Sequence, residues 1–269
     1  MGTGDDIVHA KDALAADDID MGAGDDFLII NSDANDTSLD GGSGSDWLAF
    51  RTVNWGSSAR TYTLNSGNAS NFENLLGSDN DDTLTGDANA NIIVGSAGAD
   101  TINGGNGNDV LWGDCTTSAC ASLISQNYSS YSISSGGNDS LNGGAGDDTL
   151  YGEDGDDTLN GGAGNDTIIS GSGSDVIIIT SSSDSDTLND FTDGTDAIGF
   201  DSSITSSNLT ITASGSDTVI KNGGDVLLTL TGISSANFTA VDLQSTSTDA
   251  QTINGTSDND ILVGGAGND

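Results

Sequence analysis

Apolar residues recur at a fixed interval through the middle of the chain. Leu141, Leu150, Leu159, Ile168 and Ile177 are nine apart, as are Leu84, Ile93, Ile102 and Leu111 before them. Two places ahead of each stands an acid or its amide: Asp82, Asn91, Asp100, Asp109, Asp139, Asp148, Asp157, Asp166 and Asp175. Thirty residues separate Asp109 from Asp139, which is one interval of nine plus an insertion of twenty-one, placed at 115–135. A period of nine fits neither the helix repeat of about 3.6 nor the strand repeat of about 2, and fixed self-similarity points to a repeat architecture. Nine residues divide into six of turn and three of strand, with the middle strand residue inward and its neighbours outward. Two units make a coil of eighteen residues, and coils stack at the strand spacing of about 4.8 Å. The predicted fold is all-β: a parallel β-roll (β-solenoid) with a small antiparallel β cap.

The flanks follow variants of this pattern. "MGTGDDIV" (1–8), "MGAGDDFL" (21–28) and "GGSGSDWL" (41–48) recur every twenty residues, with Asp6, Asp26 and Asp46 in phase. They predict a wider roll over 1–49, with return strands at Ile19 and Leu39. "AFRTVNW" (49–55) and "RTYTLN" (60–65) alternate enough to predict a hairpin insertion over 50–76. The regular roll then spans 77–180. The run "VIIIT" (176–180) lacks a polar face and needs a cover. That cover is predicted as an antiparallel cap over 181–245, with three strands at 208–233. "NGTSDNDILVGGAGND" (254–269) begins a further roll within 246–269, with Asp260 and Asp269 nine apart. The sequence starts and stops within a motif. It reads as a piece of a longer protein, or as a unit whose open half-turn a second copy completes, giving self-association head to tail.

Composition narrows the partners. The formal charge is −38, with only Lys11, Arg51, Arg60 and Lys221 opposing the acids. Such a field repels nucleic acid and anionic membrane surfaces, so neither is expected as a partner. No stretch approaches the ~18 apolar residues of a membrane span. Low hydrophobicity with high charge is also the signature of disorder, but disordered tails have no reason to phase their apolar residues. A fold that needs a metal satisfies both observations. Cys115 and Cys120 are the two cysteines, and they can close one small loop in an oxidising compartment.

The carboxylates decide which metal. Stacked coils set Asp139, Asp157 and Asp175 along one edge, and Asp148 and Asp166 along the other. Bare charges about 5 Å apart repel by roughly a kcal/mol or more even at high effective dielectric. A hard cation between turns removes the conflict. Calcium takes six to eight oxygens with loose geometry, whereas magnesium demands an octahedron and zinc wants His or Cys. The calcium ligands expected are Asp6, Asp26, Asp46, Asp82, Asn91, Asp100, Asp109, Asp139, Asp148, Asp157, Asp166, Asp175, Asp260 and Asp269, with weaker binding at the Asn91 edge. The glycines at the first, second and fourth places of each unit let carbonyls crowd inward. They are not phosphate loops, because no GK[ST] follows.

The units "GGAGDDTLY" (143–151) and "GGAGNDTII" (161–169) resemble the calcium-binding nonapeptide of the repeats-in-toxin (RTX) family. "GEDGDD" (152–157) departs from it, with Glu153 and Asp154 at the second and third places. The resemblance implies a parallel β-roll, secretion by the type I route and folding on meeting calcium outside the cell. Catalysis is not expected: His9 is the single histidine, and no pair of carboxylates is marked out from the repeat. Trp112, Tyr128 and Tyr131, on or beside the insertion, suit a glycan or surface partner, or pinning of the insertion to the roll; pinning is the expectation. The function expected is a calcium-binding structural module of an extracellular or cell-surface protein: adhesin stalk, matrix, surface-layer or filament subunit. The alternative is the calcium-folding, secretion-linked region of a secreted protease, lipase or epimerase whose catalytic domain lies elsewhere.

Overall fold

Two columns of apolar side chains run the length of the molecule, and the fold is built around them. The structure is a computed structural model that describes residues 1–10, 18–30, 38–50, 59–125, 136–180, 184–201, 204, 208–236, 238 and 242–245. In the first column Val8, Leu28, Leu48, Leu75, Ile93, Leu111, Leu150, Ile168 and Leu188 stack in register. In the second, Tyr62, Leu84, Ile102, Leu141, Leu159, Ile177, Ile198 and Leu243 do the same. From Leu28 to Leu188 and from Leu84 to Ile198 both columns are essentially buried and form one core. The chain is an all-β parallel solenoid with an antiparallel part.

The nine strands that carry the first column form a twelve-stranded sheet together with three further strands at its C-terminal end, and those of the second form an eight-stranded sheet. A three-stranded sheet of Asp18–Asp20, Ser38–Asp40 and Ala69–Ser70 supplies the return strands of the wider N-terminal coils. Leu150 is fully buried in the column. Leu150→Ala is expected to cost about 2–5 kcal/mol, because neighbouring rungs fixed by their hydrogen bonds cannot close on the cavity. Denaturant unfolding in calcium measures it.

Two expected boundaries are corrected. The hairpin expected over 50–76 does not form in its described part. Thr61–Thr63 pairs in parallel with Thr83–Thr85, and Asn74–Leu76 sits between Trp47–Phe50 and Ile92–Ser96 as another parallel rung. Glu73 and Leu75 keep the acid-to-apolar spacing of the repeat, which overrides the local alternation. Residues 51–58 lie outside the described residues. The cap expected over 181–245 is smaller. Asp186–Leu188 and Ala197–Phe200 extend the two sheets in parallel, as does Leu243–Ser245. The antiparallel part is the meander Leu209–Ser214, Asp217–Asn222 and Asp225–Leu230, which joins the roll where Asp225–Leu230 pairs in parallel with Asp186–Leu188.

A third correction concerns the outer face of the long sheet, where neighbours of the column residues are expected to meet solvent. Phe27, Ile29, Trp47, Ala49, Leu76, Val94 and Trp112 are buried there, in a cluster with Cys115, Cys120 and Ile124. Cys115 and Cys120 form a disulfide at the root of the insertion, with Cα atoms 5.4 Å apart. Cys120 and Ile124 lie on the helix Ser118–Ser125, and Trp112 stacks on Tyr151 with ring centroids 3.8 Å apart. Trp112 thus pins the insertion's root to the roll. Tyr128, Tyr131 and the roll begun at 246–269 lie outside the described residues.

Candidate metal centre

Each aspartate of the repeat stands where a turn enters a strand. Its carboxylate reaches along the solenoid to the coil before it. The Asp82 N–H donates to Asp100 Oδ1 at 2.7 Å, Asp100 to Asp139 at 2.7 Å, Asp139 to Asp157 at 2.8 Å, and Asp157 to Asp175 at 2.9 Å. On the opposite edge Asn91 donates to Asp109, Asp109 to Asp148, and Asp148 to Asp166, at 2.7 to 2.8 Å. The partners are 18 residues apart except across the insertion, where they are 39 apart. The insertion therefore leaves both ladders unbroken. In the N-terminal coils Asp6 donates to Asp26 and Asp26 to Asp46, each at 2.7 Å, with a spacing of 20.

The ladder uses one oxygen of each carboxylate. The other, Oδ2, is buried with no hydrogen-bond partner at Asp26, Asp46, Asp100, Asp109, Asp139, Asp148, Asp157, Asp166 and Asp175. A buried acceptor left unpaired costs about 1–3 kcal/mol, and more when charged. The first-place glycines show what surrounds it. A methyl group on Gly143 would overlap both Asp148 Oδ2 and the carbonyl oxygen of Gly161. One on Gly152 would overlap Asp157 Oδ2 and the Ser170 carbonyl oxygen. A free carboxylate oxygen and a carbonyl oxygen of the next coil thus converge where a side chain would otherwise sit. Among the described residues no three His, Cys, Asp or Glu side chains converge on one point. Any cation here is held by one or two carboxylates completed by main-chain carbonyls, a donor set that fits calcium.

The family model of the RTX calcium-binding nonapeptide repeat matches residues 76–111, 133–168, 146–177 and 245–269. This chain carries RTX calcium-binding repeats. No curated protein matches the chain. Among solved structures, the AlgE6R3 subunit of the mannuronan C5-epimerase from Azotobacter vinelandii is 26% identical. It covers 46% of this chain and 84% of its own, with a TM-score of 0.34. The extracellular lipase LipA from Serratia marcescens is 16% identical over 74% of this chain and 44% of its own, with a TM-score of 0.27. No helix among the described residues is long and apolar enough to cross a membrane.

RTX repeats bind calcium, and this RTX roll concentrates the fit in the interior of its ladders. At the ends the second oxygen finds a protein donor. Asp82 Oδ2 accepts from the Ser78 N–H at 2.6 Å, and Asp196 Oδ2 from the Thr192 N–H at 2.6 Å. Asn91 Oδ1 accepts from the Asp87 N–H at 2.8 Å, while its Nδ2 donates to the Glu73 carbonyl at 3.0 Å. Asp82 and Asn91 thus leave no oxygen over, and Asp6 is half-buried at the start of its ladder. Asp260 and Asp269 lie outside the described residues.

The electrostatics of the ladder carboxylates also fit a cation. Burial pushes Asp109 and Asp139 up to about 6, and Asp148 and Asp157 up to about 7. Asp100 rises to about 9, through burial first and then the neighbouring Asp139, Asp82 and Asp114. Buried carboxylates in a row keep their charge only beside a cation.

Sequence reasoning missed several ladder members. Glu73 Oε2 accepts the Asp46 N–H at 2.8 Å, Asp186 accepts that of Asp166 at 3.0 Å, and Asp196 that of Asp175 at 3.2 Å. All three sit two places ahead of an apolar residue, so the repeat's own rule finds them. A second, exposed ladder runs the opposite way through the fifth place of the unit. Asn165 donates to Asp147 Oδ1 at 2.8 Å, and Ser174 to Asp156 Oδ1 at 2.9 Å. Its signal is the Asp or Asn that precedes the ladder aspartate.

Asp157→Asn separates the two jobs of the carboxylate. The amide oxygen still accepts the Asp139 N–H, and the new NH2 takes the place of Oδ2 on the side of the Ser170 carbonyl. At neutral pH the calcium-free chain is expected to gain about 1–2 kcal/mol, because a carboxyl whose ionisation burial opposes is replaced by a neutral amide. Calcium affinity is expected to fall. Unfolding in chelator and calcium titration read the two effects, which carry opposite signs.

Proposed function

We propose that the chain is a non-enzymatic, calcium-loaded structural module of an extracellular or cell-surface protein, such as an adhesin stalk or a matrix component. The observation that carries this is the row of partnerless, buried carboxylate oxygens repeated along both edges of one continuous roll. A fold organised this way spends its acids on its own length. Each ion ties one coil to the next, so calcium converts a self-repelling chain into a stiff rod. Extracellular calcium modules bind at about 10⁻⁴–10⁻³ M, so cytosolic calcium leaves such a chain open and exportable. The Cys115–Cys120 disulfide supports an oxidising compartment.

Single-molecule force spectroscopy tests this role. The roll is expected to resist pulling from its two ends in millimolar calcium and to extend at low force in chelator. A calcium-loaded roll that yields as easily as the chelated chain would overturn the structural role, and would favour a segment used for folding and export only.

A further inference from the structure

The second place of the unit forms a column on the long sheet. Ser96 pairs with Asp114 and Glu153 with Gly171, and the Trp112–Tyr151 rung, with the same offset of 39, sets Asp114 level with Glu153. Ser96, Glu153 and Gly171 take left-handed φ values of 98°, 79° and 102°. Asp114 does not, and the chain leaves the roll at this residue to make the insertion. The disulfide at Cys115 follows directly, and Thr116 and Thr117 donate their hydroxyls to Glu153 at 2.7 and 3.0 Å. Asp114 is therefore clamped from both sides at the branch point.

Its carboxylate is fully buried. It turns into the insertion-bearing turn, where the Gly137 N–H donates to Asp114 Oδ2 at 3.1 Å and to Oδ1 at 3.3 Å. In regular turns that fourth-place N–H goes to the next coil instead, as Gly146 donates to the Ala163 carbonyl at 2.8 Å and Gly155 to that of Ser172 at 2.9 Å. The same turn holds Asp139, which is 3% exposed and whose Oδ2 has no partner. That oxygen is aimed at Gly113, the residue before Asp114: a methyl group on Gly113 would overlap it, with the Gly152 carbonyl oxygen 2.9 Å away. Asp114 also interacts electrostatically with Asp139, Asp157 and Asp154. The repeat match stops at residue 111 and resumes at 133, so the nonapeptide does not supply Asp114.

We infer that Asp114 and Asp139 form a two-carboxylate cation site at the root of the insertion, the tightest calcium site of the roll. It rests on calcium binding by the repeats, and adds a carboxylate at a place in this column where Ser96 and Gly171 have none and where Glu153 is taken up by Thr116 and Thr117. Affinity in calcium sites rises with the number of charged ligands. This site fills first and holds the two ends of the insertion together while the remaining turns still await metal.

Tryptophan-sensitised terbium emission tests the inference on the full chain. In a Trp47→Phe, Trp55→Phe background, Trp112 is the one remaining tryptophan, two residues from Asp114. Terbium titration is expected to give an early emission phase, complete before strand content measured by circular dichroism reaches half its final value. Calcium should compete for that phase at correspondingly low concentration. Asp114→Asn should move it about tenfold or more to higher terbium, leaving the strand content at saturation intact. Asp114→Ser, the side chain this column carries at Ser96, gives a second substitution compatible with the rung. Emission that rises only with the bulk transition, or an early phase unmoved in a variant that folds, would overturn the two-carboxylate site. Loss of all metal-driven strand formation in the parent would instead count against calcium folding itself.

Discussion

Stripped of calcium, the chain is expected to be most ordered in acid and to lose its strands as the pH rises, the reverse of ordinary acid denaturation. The sign follows from the ladder carboxylates. Burial raises Asp46, Asp109 and Asp139 to about 6, Asp148, Asp157 and Asp186 to about 7, and Asp114 to about 8, from an ordinary value of 3.8. A group whose pKa is raised on folding binds more protons folded than unfolded, so stability falls as the pH rises. The stability it gives is complete below about 4 and is lost as the pH passes through about 6 to 8. The net charge of −38 works in the same direction. Calcium reverses the dependence, because it binds the deprotonated carboxylates and protons compete with it. Far-UV circular dichroism against pH, in chelator and in millimolar calcium, is expected to give two curves of opposite slope. A chelated chain that is most stable near neutrality would show that the ladder acids are paired without metal.

Gly164→Ala is expected to be among the most damaging single substitutions in the roll, at about 3–5 kcal/mol in calcium. Gly164 has a φ of 134°, and its added methyl would overlap the carbonyl oxygen of Gly146 in the coil before it. Relieving that overlap means opening the stack, because the rung is fixed on both sides. Gly194→Ala isolates the backbone cost. Gly194 also has positive φ, at 76°, but its methyl would meet open space, so about 1 kcal/mol is expected. Gly161→Ala acts differently. Its methyl would overlap Asp166 Oδ2 at an ordinary φ, so the loss should appear chiefly as a higher calcium midpoint at that edge. Unfolding of the three variants in calcium and in chelator separates backbone strain, coil collision and lost metal. Equal effects of Gly164→Ala and Gly194→Ala would contradict the close stacking of the turns.

Much of this was legible because the repeat couples two signals. The acid marks the start of a strand and the apolar residue two places later marks its inward side, so register survived even the insertion at 115–135. Where the sequence carries only one of the two signals strongly, the structure differs from the expectation. Arg60 to Asn65 alternates like a hairpin strand, yet Tyr62 falls into the apolar column and the segment pairs in parallel. Asp186 and Asp196 obey the rule but sit in less glycine-rich turns, where composition alone points to the cap. The outer cluster around Trp47, Val94 and Trp112 was hidden because nonapeptide spacing says which residue points inward and nothing about what covers the other side. Side-chain satisfaction was not legible at all. Asp82 and Asp100 occupy the same place in their units, and only Ser78, folded back onto Asp82, makes one self-sufficient and leaves the other needing a cation.

The most direct measurement is equilibrium dialysis of calcium against the full chain at neutral pH, with strand content followed by circular dichroism on the same samples. Several ions per chain are expected to bind as the strand signal appears, with both reversed by chelator. Strand content that is complete without calcium, or calcium that binds without changing it, would contradict a roll held together by metal between its coils.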